Sequence, residues 1–130
     1  MEKTGRKKIL VIEDEAVVSQ PLAKRLESAG YDVHVEAFGK TGLQHAADSK
    51  PDLVVLDIKL PDISGYEVCK KLRELYNNSA LPIVMLTCMT EAIDQVRGFT
   101  QGADAYLTKP YDANELLKTI SVLLIKGVRK

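Results

Sequence analysis

Short apolar segments alternate with amphipathic helical segments along this sequence, and this alternation restricts the possible folds more than any other feature. Three of the apolar runs are continuous, at residues 9–12, 53–56 and 83–86. Such runs are typical of strands buried on both faces. Residues 31–36 read as a more exposed edge strand, and a short strand is expected at 105–107. Five strands alternating with helices predict an α/β protein whose parallel sheet is covered by helices on both faces.

Helical spacing of apolar residues locates the connecting segments. The first helix should end at Gly30, and Pro21 within it predicts a late helix start or a kink. Asp112 is the expected N-cap of the last helix. The apolar stripes that predict the five helices are Val18, Leu22, Leu26 and Ala29; Leu43, Ala46 and Ala47; Val68, Leu72, Leu75 and Tyr76; Ala92, Val96 and Phe99; and Leu116, Ile120, Leu123 and Leu124.

Size and composition exclude several classes of protein. The 130 residues are enough for one domain with a real core and too few for two ordinary ones. Charged residues make up 28% of the chain and balance to zero, which argues against direct nucleic-acid binding by this domain. No apolar stretch approaches the roughly 20 residues of a membrane helix, and the N-terminus lacks a signal-peptide pattern. Cys69 and Cys88 are expected to be free thiols, so the sequence favours a cytoplasmic protein.

Polar side chains follow four of the predicted strands at the point where each strand ends. Glu13 and Asp14 follow the first strand, Asp57 the third, Thr87 the fourth and Lys109 the fifth. Because the carboxyl ends of parallel strands meet at one edge of a sheet, these side chains should lie close together. Three clustered carboxylates repel one another and need a cation. Oxygen ligands without His or Cys suit Mg²⁺.

The same cluster suggests a reaction. The Thr87 hydroxyl and the Lys109 ammonium suit phosphoryl oxygens. The Asp57 carboxylate could attack a phosphoryl group in line and form an acyl phosphate. Each residue alone has an ordinary structural reading, and only their shared location favours a functional one. His34 and His45 show neither metal-ligand spacing nor a paired acid, so both read as ordinary structural or surface residues.

The segments VIEDE, LDIKLPDISGYE, MLT and GADAYLTKPY occur in this order. Together they resemble the receiver domain of two-component response regulators, the CheY-like group. The resemblance covers about residues 7–126, so we expect 1–130 to be a single receiver domain with short basic tails at both ends. It implies a doubly wound (βα)5 flavodoxin-like fold, with a five-stranded parallel sheet in the strand order 2-1-3-4-5.

The resemblance also implies roles for the clustered residues. Asp57 would accept a phosphoryl group from a histidine kinase or a phosphotransfer protein, with Mg²⁺ as cofactor. The metal would be bound directly by Asp14, Asp57 and the backbone carbonyl of Lys59. Glu13 would act mostly through a water. It replaces an aspartate that the family usually has, and an indirect contact tolerates this change.

Further roles concern the response to phosphorylation. Lys109 would pair with the phosphoryl group, and a cis peptide is expected between Lys109 and Pro110. Thr87 and Tyr106 would form a switch pair that reshapes a protein-binding face. The only expected catalysis is the domain's own phosphorylation and dephosphorylation, so it is not an enzyme in the usual sense.

The expected partners are the phosphodonor and either a downstream effector protein or a missing C-terminal output domain. Membrane binding is not expected. Similar receivers of transcription factors dimerise through alternating acid–base pairs, and this chain retains only part of that pattern. Asp104 and Glu115 fit it, and we therefore expect a monomer or a weak dimer. Uncharged or mismatched residues replace the usual charges at Ala105, Thr119, Gln95 and Glu91.

Two other functions remain open. The first is a Mg²⁺-dependent phosphohydrolase with an aspartate nucleophile. That class needs a second acid two residues after its nucleophile, where this chain has Lys59, and a substrate-covering cap that 130 residues leave no room for. The second is a receiver-like interaction module that works without phosphorylation. The presence of Asp57, Thr87 and Lys109 argues against it.

Overall fold

The computed structural model describes residues 5–75, 81–87, 102–109 and 111–126. Within these ranges, five strands form one parallel sheet, as the sequence predicted, in the order β2-β1-β3-β4-β5 that the family resemblance implied. The strands are β1 (Lys8–Ile12), β2 (Asp32–Glu36), β3 (Leu53–Asp57), β4 (Ile83–Thr87) and β5 (Ala105–Thr108). β3 lies at the centre of the sheet, and all five of its residues are buried.

Four helices in the described ranges cover the two faces of the sheet. They are α1 (Ala16–Ser28), α2 (Gly39–Ser49), α3 (Gly65–Leu75) and α4 (Ala113–Lys126). α2 and α3 pack on one face, through a cluster that includes Ala46, Val68 and Leu72. α1 and α4 pack on the other, through a cluster that includes Leu22 and Ile120. Successive residues of each central strand alternate between these two clusters, because side chains in a strand point to opposite faces.

The expected late start of the first helix is wrong, because α1 begins at Ala16 and contains Pro21. The backbone nitrogens of Val18 and Ser19 both donate to the carbonyl of Glu15, which forms the first turn well before the proline. The end of the helix agrees with the sequence, since Gly30 follows it with a φ of +101°. A left-handed backbone conformation directly after the last turn of a helix favours glycine at that position.

Several predicted inward positions prove exposed because they lie at the ends of helices or on their outer side. Ala29 is the C-cap of α1 and Ala47 is an outer residue of α2, and both are exposed. Leu75 is the last residue of α3, and 49% of its surface is accessible. In α4 the prediction holds: the Asp112 carboxylate accepts a hydrogen bond from the Asn114 nitrogen at 2.8 Å. Tyr76 and the helix predicted around 92–101 lie outside the described residues.

A side-chain tie joins α3 to the far edge of the sheet. The Arg73 guanidinium donates to the carbonyl of Gly102 and forms an ion pair with Asp104 at 2.8 Å. The same Asp104 carboxylate accepts a hydrogen bond from the Ile83 nitrogen at 2.8 Å. Asp104, which the sequence offered for contacts between two copies, is therefore engaged within the domain.

Candidate functional site

The carboxyl ends of the strands bring the predicted site residues to one edge of the sheet. Ile12 is paired with Leu56, so Glu13, directly after β1, lies at the same level as Asp57, the last residue of β3. Asp57 is paired with Leu86, and Thr87 with Thr108. The parallel register therefore positions all four strand ends side by side, as the sequence pattern required.

Three carboxylates meet at this edge. One oxygen from each of Glu13, Asp14 and Asp57 lies within 4.8 Å of the others. Glu13 and Asp57 are buried, with 2% and 6% of their surfaces accessible, whereas Asp14 is exposed. Burying two like charges side by side is unfavourable unless a positive group lies between them. The arrangement calls for a cation.

Lys109 supplies part of that positive charge. Its Nζ donates to Glu13 Oε1 at 2.8 Å and lies 3.4 Å from Asp57 Oδ1. The other Glu13 oxygen accepts a hydrogen bond from the Glu15 backbone nitrogen at 3.1 Å. Both oxygens of Glu13 are thus engaged by the protein, which leaves Asp14 and Asp57 better placed for direct contact with a further cation.

Asp57 remains incompletely compensated despite this ammonium. Burial and the neighbouring Glu13 charge raise the pKa of Asp57 to about 6, although Lys109 opposes the shift. Burial lowers the pKa of Lys109, but hydrogen bonds and charge from Glu13 and Asp57 outweigh it and hold that pKa above its usual value. At neutral pH Asp57 is therefore mostly ionised, in a setting that favours neutralisation of its charge.

The start of α3 packs directly against the acceptor strand. A Cβ at Gly65 would lie 2.3 Å from the Asp57 carbonyl oxygen and 2.6 Å from the Ile58 Cα. The Gly65 nitrogen donates to the Ile58 carbonyl at 2.7 Å, which closes the loop after Asp57. Glycine is needed here because no side chain fits between the helix and the backbone of the strand.

Asp62 is a residue whose role the sequence did not reveal. Its two carboxylate oxygens accept hydrogen bonds from the Gly39 and Lys40 nitrogens, at 2.8 and 2.9 Å. These donors are the free amides at the first turn of α2, so Asp62 caps that helix from the loop after Asp57. The contact spans 23 residues between Gly39 and Asp62, and sequence rules for N-caps look only at adjacent positions.

The remaining predicted residues are placed as follows. The Thr87 backbone ends β4 beside Asp57, and the Lys59 side chain is exposed beyond the acceptor. Tyr106 is half-buried and packs against the cluster beneath α2 and α3. Pro110, with the expected cis peptide, lies outside the described residues. The roles of these residues stay predictions.

The donor set suits Mg²⁺. All three clustered ligands are carboxylates, and the mixture of buried and exposed acids leaves room for bound waters, as Mg²⁺ usually requires. The raised pKa of Asp57 shows that the existing ammonium leaves part of the negative charge uncompensated. The residues present therefore fit a divalent, oxygen-bound cation.

A second cluster lies on β2 and α2, where the sequence predicted nothing. His34 Nε2 lies 2.5 Å from Glu36 Oε2, so the expectation that His34 has no paired acid is wrong. His34 and Glu36 are two positions apart on a strand and point to the same face. The His45 ring of α2 stacks on the His34 ring, with centroids 3.7 Å apart. Sequence spacing could not reveal this contact because it joins a strand to the following helix.

Comparison with known proteins defines the class. Residues 9–121 match the family described as the response regulator receiver domain. The chain belongs to this family and is a receiver domain of two-component systems. It is 43% identical over 118 residues to the alkaline phosphatase synthesis transcriptional regulatory protein PhoP of Bacillus subtilis, covering 91% of this chain and 48% of PhoP. It is 40% identical over 117 residues to the transcriptional regulator RpaA of Synechocystis, covering 90% of this chain and 48% of RpaA.

Solved structures agree with this assignment. A putative response regulator from Chloroflexus aurantiacus superposes with a TM-score of 0.87 at 34% identity, covering 92% of this chain and 98% of that one. A CheY-like receiver domain protein from Methanospirillum hungatei gives a TM-score of 0.89 at 30% identity, covering 95% and 97%. This chain spans about half the length of the curated relatives it matches. Among its described helices, none combines the length and apolarity needed to cross a bilayer.

Proposed function

We propose that Asp57 accepts a phosphoryl group from a histidine kinase or a phosphotransfer protein, and that this event switches a protein-binding face. The observation that carries the proposal is the buried Asp57 carboxylate, held beside Glu13 and Asp14 with the Lys109 ammonium 3.4 Å away. A buried nucleophilic carboxylate surrounded by charge-neutralising groups is suited to phosphoryl transfer.

The chemistry follows from the protonation states. With a pKa of about 6, Asp57 is mostly ionised at neutral pH, so it needs no general base. One of its oxygens attacks phosphorus while the bond from phosphorus to the donor's imidazole nitrogen breaks, and the product is an acyl phosphate. Lys109 can leave Asp57 and pair with the phosphoryl oxygens, as the sequence suggests for this residue. The Thr87 hydroxyl is the second donor proposed for those oxygens.

The proposed cofactor is Mg²⁺, bound by Asp14, Asp57 and the Lys59 backbone carbonyl, with Glu13 acting through a water. When bound, the ion neutralises charge on the carboxylates and on the incoming phosphoryl oxygens. The two protein hydrogen bonds of Glu13 support its indirect role, because both carboxylate oxygens already have partners.

Asp14 and Glu13 should differ in their effect on Mg²⁺ binding. We expect Asp14→Ala to weaken Mg²⁺ binding at least about tenfold, since it removes an exposed direct ligand. Glu13→Gln should weaken it less, since that side chain already bonds Lys109 and the Glu15 amide. Titration of each variant with Mg²⁺, followed by a change in amide resonances, measures the two affinities. Equal losses would contradict the assignment of direct and indirect contacts.

The proposal itself is tested by phosphorylation with acetyl phosphate. Wild-type protein with Mg²⁺ should gain one phosphoryl group in its intact mass, and Asp57→Asn should gain none. Asp62→Asn is the matched control, because it changes an acid in the same loop whose carboxylate caps α2 instead. Continued incorporation into the Asp57→Asn variant would assign the acceptor to another residue.

Phosphorylation is further proposed to act through Thr87 and Tyr106. The phosphoryl group would draw the Thr87 hydroxyl toward it, and the half-buried Tyr106 ring would move into the space released. We expect amide resonance changes to concentrate at residues 86–118. Changes restricted to the loop after Asp57 would contradict this switch.

Localisation, oligomeric state and output are proposed on the same basis. Residues 1–130 would act as a single cytoplasmic receiver domain that is a monomer or a weak dimer. Its output would pass to an effector protein or to a C-terminal output domain, as the roughly twofold greater length of the curated relatives suggests. The phosphohydrolase alternative is less well supported, because the exposed Lys59 stands where a second catalytic acid is needed.

A further inference from the structure

The cluster on β2 and α2 combines two imidazoles and a carboxylate, a ligand set that the phosphorylation site does not use. One ligand atom from each of His34, Glu36 and His45 lies within 4.8 Å of the others. We propose that these three residues form a binding site for a transition-metal ion of the Zn²⁺ class.

The type of ligand selects the type of ion. Imidazole nitrogen with one carboxylate oxygen suits Zn²⁺, Cu²⁺ or Ni²⁺ and is poorly suited to Mg²⁺. The acidic cluster at the strand ends has oxygen ligands alone and suits Mg²⁺. The chain thus carries two groups of potential ligands that differ in chemical preference: Mg²⁺ binds poorly to the histidine cluster, and saturating Mg²⁺ can occupy the acidic one.

The backbone already positions the three ligands. His34 and Glu36 lie on the same face of β2, and α2 brings His45 over them. The Glu36 carboxylate already faces the His34 ring, with Oε2 2.5 Å from Nε2. The adjacent groove, lined by His34, His45 and the exposed Asp48, gives an ion access to the site.

Binding requires two small local adjustments, a rotation of one imidazole ring and a shift of the Glu36 carboxylate. The two rings are stacked with an angle of 5° between their planes, so an ion cannot lie in both ring planes at once. One ring must turn about its Cβ–Cγ bond, a torsion with broad minima. His34 is exposed and His45 half-buried, so the turn displaces no core side chain. Tetrahedral bonds to Zn²⁺ place ligand atoms about 3.3 Å apart, which this adjustment and a small movement of Glu36 can reach.

The test is a titration in which Zn²⁺ is the added probe. The buffer contains saturating Mg²⁺, and the protein carries Cys88→Ser, which removes a competing thiol. We expect one Zn²⁺ per chain, with affinity reduced at least about tenfold in His34→Gln and in His45→Gln. Asp57→Asn is the matched control for the acidic cluster and should bind Zn²⁺ as the background protein does. Unchanged affinity in both histidine variants, or loss of binding in Asp57→Asn, would overturn the proposal.

The NMR resonances of the imidazole ring protons give a second measurement, which needs no histidine variant and therefore does not depend on whether such a variant folds. The chain has only two histidines, and both belong to this cluster. One equivalent of Zn²⁺ should therefore shift both sets of ring protons together, with an added change as the rings leave their stack. Ring-proton resonances that do not shift at one equivalent of Zn²⁺ would overturn the proposed site, even if Zn²⁺ binds elsewhere on the chain.

Discussion

Asp57→Asn should make the metal-free protein more stable at pH 7.5, by about 2 to 3 kcal/mol in the free energy of unfolding. The reason is the pKa of Asp57, which burial and the Glu13 charge raise from 3.8 to about 6 in the folded protein. Above pH 6 both states carry the ionised group, and the folded state has the cost of burying it. Asparagine has the same shape without the charge, and Lys109 keeps its hydrogen bond to Glu13.

The direction of the Asp57 pKa shift predicts how the stability of the domain depends on pH. A folded-state pKa above the unfolded one means that the folded protein holds its proton longer as pH rises. The destabilisation by Asp57 is therefore absent below about pH 4, grows between 4 and 6, and is complete above 6. The advantage of Asp57→Asn over wild type should shrink accordingly as pH falls from 7.5 to 4.

Urea unfolding in the presence of a chelator measures this difference. Glu67→Gln is the matched control, since it removes one charge from an exposed pair with Lys71 and should change stability by less than about 0.5 kcal/mol. Addition of Mg²⁺ should stabilise wild type and reduce the advantage of the Asp57→Asn variant. An Asp57→Asn variant no more stable than wild type at pH 7.5 would mean that Asp57 is already compensated without a metal.

Gly65→Ala should destabilise the domain by about 2 kcal/mol and also slow phosphorylation of Asp57. The new Cβ would lie 2.3 Å from the Asp57 carbonyl oxygen, and both nearest atoms belong to the backbone. The start of α3 or the acceptor loop must therefore move, because no flexible side chain can yield. A shift of this loop displaces the carboxylate relative to Asp14 and Lys109. Urea unfolding and the rate of acetyl phosphate labelling measure the two effects.

Gly30→Ala separates loss of stability from damage to the site. Gly30 has a φ of +101° but open space around it, so alanine there adds backbone strain without a clash. It precedes β2, at the edge of the sheet opposite the acceptor. We expect it to reduce stability by about 1 kcal/mol and to leave the labelling rate unchanged. Equal labelling rates for Gly65→Ala and wild type would contradict the proposed role of the close contact.

The sequence predicted most of the fold because strand burial and helix periodicity are local signals. The buried runs that became β1, β3 and β4 were continuous, and the strand order followed from the family resemblance and is confirmed. Errors arose at helix ends. Pro21 suggested a late start or a kink for α1, but the helix begins at Ala16 and includes the proline. Leu75 continues the stripe of α3 and yet is half exposed as the last residue of that helix.

The features of the site also fall into those that the sequence predicted and those that it could not predict. Asp57, Glu13, Asp14 and Lys109 could be brought together from sequence, because each follows a strand and parallel strands end at one edge. The Asp62 cap and the His34–His45 stack could not, because they depend on how α2 packs against a loop and a strand. Pairwise contacts of this kind leave no periodic pattern in a single sequence.

The most direct test of the account is to locate the phosphoryl group itself. Protein treated with acetyl phosphate and Mg²⁺ is reduced with borohydride, which converts an aspartyl phosphate to homoserine, and is then digested for peptide sequencing by mass spectrometry. The account predicts a single homoserine at position 57 and none in a sample treated without Mg²⁺. Homoserine at position 14, 52 or 62 with aspartate intact at 57, or no homoserine despite a gain in mass, would contradict it.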